Sequence, residues 1–361
     1  MKKSAQESSP SRSQGTPKVC AVDLFCGAGG LTCGLRRAGI RVEAGVDNAE
    51  QCRYAFEHNN RADFLCRSVS EVRGSDLLDF LFGGDFSLLA GCAPCQPFSS
   101  FNRLKKSDDA KRSLLLEFAR LAEETTPDTI AMENVPQLAG QDVFRQFVER
   151  LRTAGFFWSD WRVVRCEDYG LPQHRHRLVF LASRLGPIRV LSAEEFGAPR
   201  RTVRDAIGTL PPLSAGGVDP SDPLHRCCGL SALNLARIRA SRPGGTWRDW
   251  PESLRSPCHR KATGSSYKNV YGRMEWDRPS PTMTTQFVGY GTGRFGHPEQ
   301  DRAVSLREGA LLQSFPADYE FVAPGTQIEL FPVARMIGNA VPVAIGELLG
   351  RSILKHLESL G

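Results

Sequence analysis

KVCAVDLFCGAGGLTCGLRRAGIRVEAGVD, residues 18 to 47, is the stretch whose reading decides the fold. A short apolar strand, Val19–Phe25, runs into the turn Gly27-Ala28-Gly29-Gly30, and a helix follows to about Ala38. A second strand, Val42–Val46, ends on Asp47. Glycines in such a turn let backbone approach a ligand closely, and the helix start offers unpaired N–H groups. An acid ending the second strand is placed to accept hydrogen bonds from ribose hydroxyls. The spacing matches neither G-x-G-x-x-G nor a P-loop, so a nucleoside without phosphates suits it as well as a nucleotide. Taken alone, the same turn also reads as an ordinary tight strand–helix connection.

Further strands are expected at Phe86–Ala90, Thr129–Met132, Trp161–Arg165 and Leu178–Leu181, with helices at Arg112–Glu124 and Val143–Ala154 among them. This alternation predicts an α/β fold, a mostly parallel sheet with helices on both faces. Ligands in such sheets gather beyond the carboxyl ends of the strands. Asp23 to Gly30, Asp47, Cys92 to Ser99, and Glu133-Asn134 therefore become candidates for one shared site.

The 361 residues, 41% hydrophobic and 24% charged, allow two domains and a substantial core. No apolar run approaches the roughly 20 residues that span a bilayer. The start, MKKSAQESSPSRSQGTP, lacks the apolar centre of a secretory signal and reads as a disordered lead over residues 1–17. Eleven cysteines without a repeating frame suggest reduced thiols and a cytoplasmic setting. Of the net charge of +6, the excess lies between Arg184 and Arg278, with sixteen Lys/Arg against nine Asp/Glu. Such a segment suits a polyanion, although a solvated basic surface gives the same count.

Three motifs carry chemistry. GCAPCQPFSS (91–100) holds Cys92 and Cys95 in Cys-x-x-Cys spacing, which suits a dithiol, half of a metal site, or one nucleophile beside a bystander. Two prolines stiffen the loop around Cys95, and a rigid thiol beyond a strand end suits nucleophilic attack; a small buried hydrophobe is the alternative. Glu133, in MENVP, follows an apolar run into a partly buried setting where a carboxyl can hold a proton, if it is not simply a capping acid. In LPQHRHRLVF, period-2 spacing places Gln173, Arg175 and Arg177 on one face and His174 and His176 on the other. Two guanidiniums there can bind phosphate, a carbonyl oxygen, or a carboxylate such as Glu133. The two histidines read as surface residues, with no acid or cysteine at ligand spacing nearby, and Cys227, Cys228, Cys258 and His259 lack the paired spacing of a zinc site. No metal is expected.

From Val19 to Gly361 the chain resembles the DNA cytosine-5 methyltransferases of bacterial restriction–modification systems. DLFCGAGG (23–30), PCQPFS (94–99), ENV (133–135), QHRHR (173–177), RPSPTMTT (278–285), REGALLQSFP (307–316) and GNAVPV (338–343) stand in that family's order. The resemblance implies an S-adenosylmethionine-dependent, Rossmann-like catalytic domain with a small irregular target-recognition domain. It implies that Cys95 adds to carbon-6 of a cytosine flipped out of duplex DNA. Glu133 would bond N3 and the amine, Arg177 would orient Glu133 and the cytosine O2, and Arg175 would contact backbone or orient a loop. Carbon-5 would then take the methyl group of S-adenosyl-L-methionine. Cys92 falls outside the Pro-Cys-Gln core and is expected to be a bystander.

For the cofactor, the resemblance implies Phe25 on the adenine, Gly27, Gly29 and Gly30 admitting the methionine end, Asp47 on the ribose, and late contacts from Asn339 and Val341. Ser68 stands where relatives commonly have the acid that reads the adenine amine, and Ala340 replaces the usual serine after Asn339. The expected organisation is a catalytic part over 18–183, a target-recognition domain over 184–277, and a return to the catalytic domain over 278–361. A closing helix is expected over Ala344–Leu360. DNA contacts are expected from Gln96, Ser99, Arg260, Lys261, Tyr267, Lys268 and Arg273. Partners are double-stranded DNA and a cognate restriction endonuclease acting on the same site without stable association. RNA methylation and an inactive DNA-binding paralogue are the alternatives; the long basic insert argues against the first, and intact Cys95 and Glu133 against the second.

Overall fold

The computed structural model describes residues 17–94, 109–261 and 269–360, with backbone alone from 109 to 113. Its centre is a seven-stranded sheet: β1 (Val19–Leu24), β2 (Arg41–Asp47), β3 (Asp63–Cys66), β4 (Phe86–Gly91), β5 (Thr129–Asn134), β6 (Trp158–Arg165) and β7 (His176–Ser183). The strand order is β3-β2-β1-β4-β5-β7-β6. β1 pairs in parallel with β2 and β4, as do β2 with β3 and β4 with β5. The order reverses between β1 and β4, which opens a crevice beyond their carboxyl ends.

Strand alternation assigns each face its core. From β1, Val19 and Ala21 enter one cluster and Val22 and Leu24 the other; from β7, Val179 and Leu181 face one side and Leu178 and Phe180 the other. Among the described residues, eleven helices surround the sheet and fill the later chain. They are α1 (Gly30–Ala38), α2 (Arg53–Asn60), α3 (Leu78–Leu81), α4 (Asp109–Thr125), α5 (Asp142–Thr153), α6 (Ala193–Phe196), α7 (Val203–Ile207), α8 (Ala232–Arg239), α9 (Leu306–Leu312), α10 (Leu330–Asn339) and α11 (Val343–Glu358). Helix α11, the expected closing helix, covers the first face with Leu348, Leu349, Ile353 and Leu354. Leu330–Glu358 is apolar enough in composition to cross a membrane, but it is two helices, α10 and α11, and mostly buried in the core.

Two features differ from the expectation. β3 is absent from it, because four residues at a sheet edge carry too little alternation to register. β7 runs antiparallel to both β5 and β6, opposing Glu133 to Val179 and Asn134 to Leu178. The residues that lead into β7 therefore arrive at the carboxyl end of β5.

The basic segment divides differently from the expected limits of 184 and 277. Ile188, Val190, Leu191 and Phe196 pack into the core under α11, and Val203, Ile207 and Leu224 pack with Phe56, Phe287 and Phe315. A separate small core gathers Ile238, Trp247, Trp250, Tyr290 and Ala303. Both ends of the segment thus lie against the cores that flank the sheet.

Candidate active site

The crevice at the sheet reversal is a cavity of about 670 Å³. The loop after β1 lines it through Phe25 and Gly27, the end of β2 through Asp47, the loop after β4 through Cys92, Ala93 and Pro94, and the α10–α11 junction through Asn339 and Val341. Phe25 adopts a φ of 59°, a left-handed conformation unusual for a bulky residue, which turns the chain out of the strand. Asp47 fastens this loop. Its Oδ2 accepts from the Gly27 N–H (2.9 Å) and its Oδ1 from the Ala49 N–H (2.9 Å). Each oxygen keeps a further lone pair, so ribose hydroxyls remain within its capacity.

The three turn glycines have different tasks. Gly27 lines the cavity. Gly29, at φ 86°, sits against protein: a Cβ there would come within 2.4 Å of Asn60 Nδ2. At Gly30 a Cβ would meet the Val341 carbonyl oxygen at 2.3 Å. The turn is tight so that GNAVPV can lie against it, and of the three glycines only Gly27 is among the cavity-lining residues. Beneath the turn, Asp23 is buried and accepts from Thr32 Oγ1 at 2.7 Å, while its Oδ1 has no partner. Burial pushes its carboxyl up to about 7, opposed by the Thr32 bond and reinforced by Asp47.

Glu133, at the end of β5, is 2% exposed. Arg177 Nε lies 2.6 Å from its Oε1 in an ion pair, yet no donor among the described residues is aligned on that oxygen as a hydrogen bond. Cys92 Sγ donates to Oε2 at 2.9 Å. The expected bystander is therefore a partner of the carboxylate, a contact that sequence spacing does not reveal because Cys92 and Glu133 come from different strands. Asn134 Nδ2 donates to the Ala93 carbonyl (3.0 Å), tying the ends of β4 and β5 together.

The alternating motif before β7 is arranged as its period predicts. Gln173 and Arg175 are buried, while His174 and His176 are exposed. Arg175 Nη1 donates to Gln173 Oε1 (3.3 Å) and to the Met283 carbonyl (3.2 Å). It thereby reaches RPSPTMTT, and burial pulls its guanidinium down to about 10. Gln173 donates to Gln313, whose own amide reaches the Ile337 carbonyl at 2.9 Å. QHRHR, REGALLQSFP and GNAVPV are thus one hydrogen-bonded chain behind the site.

The remaining candidates separate clearly. Cys95, Gln96, Ser99, Tyr267 and Lys268 lie outside the described residues. Arg260 and Lys261 are exposed; Arg260 donates to the Glu252 carbonyl (2.9 Å). Arg273, expected to contact DNA, is buried instead. Its guanidinium donates to the carbonyls of Ile238, Ser241, His297 and Gln300 and pairs with Asp301. An arginine with every nitrogen so occupied holds the small domain together and has no donor left for a base. The aromatics behave similarly: Trp250 Nε1 donates to Ser241 Oγ (2.7 Å), and Tyr271 packs edge-on against Trp250 and Tyr290. Ser68 lines the cavity and shares a 2.7 Å hydrogen bond with Ser70.

The C-5 cytosine-specific DNA methylase family profile matches residues 19–355. The Type II methylase M.HgiDII of Herpetosiphon aurantiacus is 50% identical over 94% of this chain and 96% of its own. The Type II methyltransferase M1.BsuMI of Bacillus subtilis is 31% identical over 92% and 80%. In fold, the S. pombe Dnmt2 methyltransferase superposes with a TM-score of 0.65 at 16% identity, covering 95% of this chain and 99% of that one. With its cavity at the sheet reversal and its buried Glu133–Arg177 pair, the chain belongs to the C-5 cytosine-specific DNA methylases.

Proposed function

We propose that this DNA cytosine-5 methyltransferase attacks its base with the Cys95 thiolate and handles the resulting charge through Glu133. The observation that carries the reading is the buried Glu133 carboxylate, held between Arg177 and Cys92. It stands beside a cavity that Pro94, the residue before Cys95, also lines. The Cys95 sulfur bonds to carbon-6 of a cytosine swung out of the duplex, since a stacked base offers it neither face. Electron density moves to carbon-5, and Glu133 bonds N3 and the exocyclic amine as charge grows there. Arg177 orients Glu133 and the cytosine O2, and Arg175 keeps the strand in place from behind. Once carbon-5 is methylated, loss of its proton and departure of the Cys95 thiolate restore the aromatic ring.

The cavity suits S-adenosyl-L-methionine in size, lying within the roughly 300–1,000 Å³ of small-molecule sites. Bound there, it supplies an electrophilic methyl with its own leaving group. Phe25 packs on the adenine, Asp47 takes the ribose hydroxyls through its remaining lone pairs, and Gly27 leaves room for the methionine end. Asn339 and Val341 close the far side, and Ser68 offers a hydroxyl where relatives have an acid. Duplex DNA is held by Gln96 and Ser99 of the nucleophile loop and by Arg260, Lys261, Tyr267 and Lys268 of the small domain. In a cytoplasmic setting the partner enzyme is a restriction endonuclease that shares the recognition site without stable association.

Duplex DNA carrying 5-fluorocytosine blocks the final proton loss. With S-adenosylmethionine it should trap a covalent complex with the native chain and none with Cys95→Ala. A Cys95→Ala chain that still methylates DNA overturns the mechanism, and methyl transfer to transfer RNA in preference to duplex DNA overturns the substrate.

A further inference from the structure

His174 and His176, exposed where the chain enters β7, do have an acid beside them. Glu167 lies in the short turn Cys166–Tyr169 that links β6 to this strand, and the Cys166 N–H donates to the Arg175 carbonyl (2.8 Å), fixing the turn against it. Six residues separate Glu167 from His174, too far for a sequence motif, but the fold closes the gap. Glu167 Oε1 is 2.8 Å from His174 Nδ1, and one donor atom from each of Glu167, His174 and His176 falls within 4.8 Å of the others. The imidazole planes meet at 65° with centroids 5.4 Å apart, so the rings are not stacked on each other.

The Glu167 carboxylate is itself out of place as a surface acid. It is 2% exposed between two exposed imidazoles, and its Oε2 has no hydrogen-bond partner among the described residues. A buried carboxylate oxygen without a donor is costly, and a cation is one remedy. We propose that Glu167, His174 and His176 form a binding site for a divalent transition metal of the zinc–cobalt–nickel type. Two imidazole nitrogens and one carboxylate oxygen suit such ions, whereas magnesium and calcium want more oxygens. Metal–ligand bonds of about 2.0–2.2 Å require the donors to draw closer, which the exposed rings can do by rotating. Arg165 opposes the ion, with Nε and Nη2 each 3.3 Å from Glu167 Oε1. It is half exposed and already within 3.7 Å of Asp168, so it can yield Glu167 and keep a partner. Bound metal would brace the backbone that presents Arg177 to Glu133 on the opposite face.

The test uses the full chain and cobalt(II) as the probe, since its visible absorption reports the ligand set. Oxygen and nitrogen ligands give d–d bands without the near-ultraviolet charge transfer of thiolates, which separates this site from the eleven cysteines. The native chain should show the thiolate-free bands at one equivalent. His174→Ala and His176→Ala, both at exposed positions that leave folding intact, should each weaken binding about tenfold or more. Glu167→Gln should do the same, while His58→Ala should not. Absence of the thiolate-free bands, or their persistence in the His174→Ala/His176→Ala double variant, overturns the site.

Discussion

Replacing Cys92 by alanine tests whether the second cysteine of Cys-x-x-Cys takes part in the chemistry or only steadies it. Its thiol donates a hydrogen bond of 2.9 Å to Glu133 Oε2. Hydrogen bonds to charged groups contribute about 1.5–3 kcal/mol, and a thiol is a weak donor, which places this one at the lower end. About 1.4 kcal/mol in the transition state corresponds to tenfold in rate. Arg177 remains on Oε1 in the variant, so the carboxylate keeps its ionic partner. Cys92→Ala should therefore lower single-turnover methyl transfer to duplex DNA by up to about tenfold, with the covalent complex on 5-fluorocytosine DNA still forming. Cys92→Ser, which retains a donor, should recover part of the loss. A fall of several orders of magnitude in both variants would refute the reasoning and make the pair a working dithiol. A rate unchanged in Cys92→Ala would show that the contact to Glu133 has no catalytic weight.

Asp23 should make stability fall with rising pH. Its carboxyl is raised from 3.8 to about 7 by burial, so between those values the folded chain holds a proton that the unfolded chain has released. The stabilisation is complete below about 4 and lost as pH passes 7. Asp23→Asn, which cannot ionise, should gain in melting temperature relative to the native chain across that window and hold a constant difference above it. Arg273→Ala should lower stability by about 1–3 kcal/mol in denaturant unfolding, because it strands the buried carbonyls of Ile238 and His297, while Asp301 keeps Arg239. Arg260→Ala should leave stability unchanged but weaken DNA binding and reduce its salt slope by about one; the opposite pattern would restore Arg273 as a DNA contact.

Much of the site was legible because its parts are local. Val19–Leu24, the glycine turn and Asp47 occur within one strand–helix–strand unit, and periodicity alone identifies their elements. The same holds for Gln173, Arg175 and Arg177, whose shared face follows from period 2, as burial of the first two bears out. The target-recognition segment was less legible. Its arginines look alike in sequence, and only packing distinguishes the buried Arg273 from the exposed Arg260.

By itself the sequence determined the α/β class, the residue types of the chemistry, and the turn on which a cofactor can rest. Only the tertiary structure decided how those residues meet. Because β7 runs antiparallel beside β5, its first residues lie at the strand end where Glu133 stands, bringing Arg177 within 2.6 Å. The same folding sets Cys92 on the other carboxylate oxygen and Glu167 beside His174. These pairs join residues from different elements, and strand direction is set by long-range pairing in the sheet rather than by local side-chain periodicity.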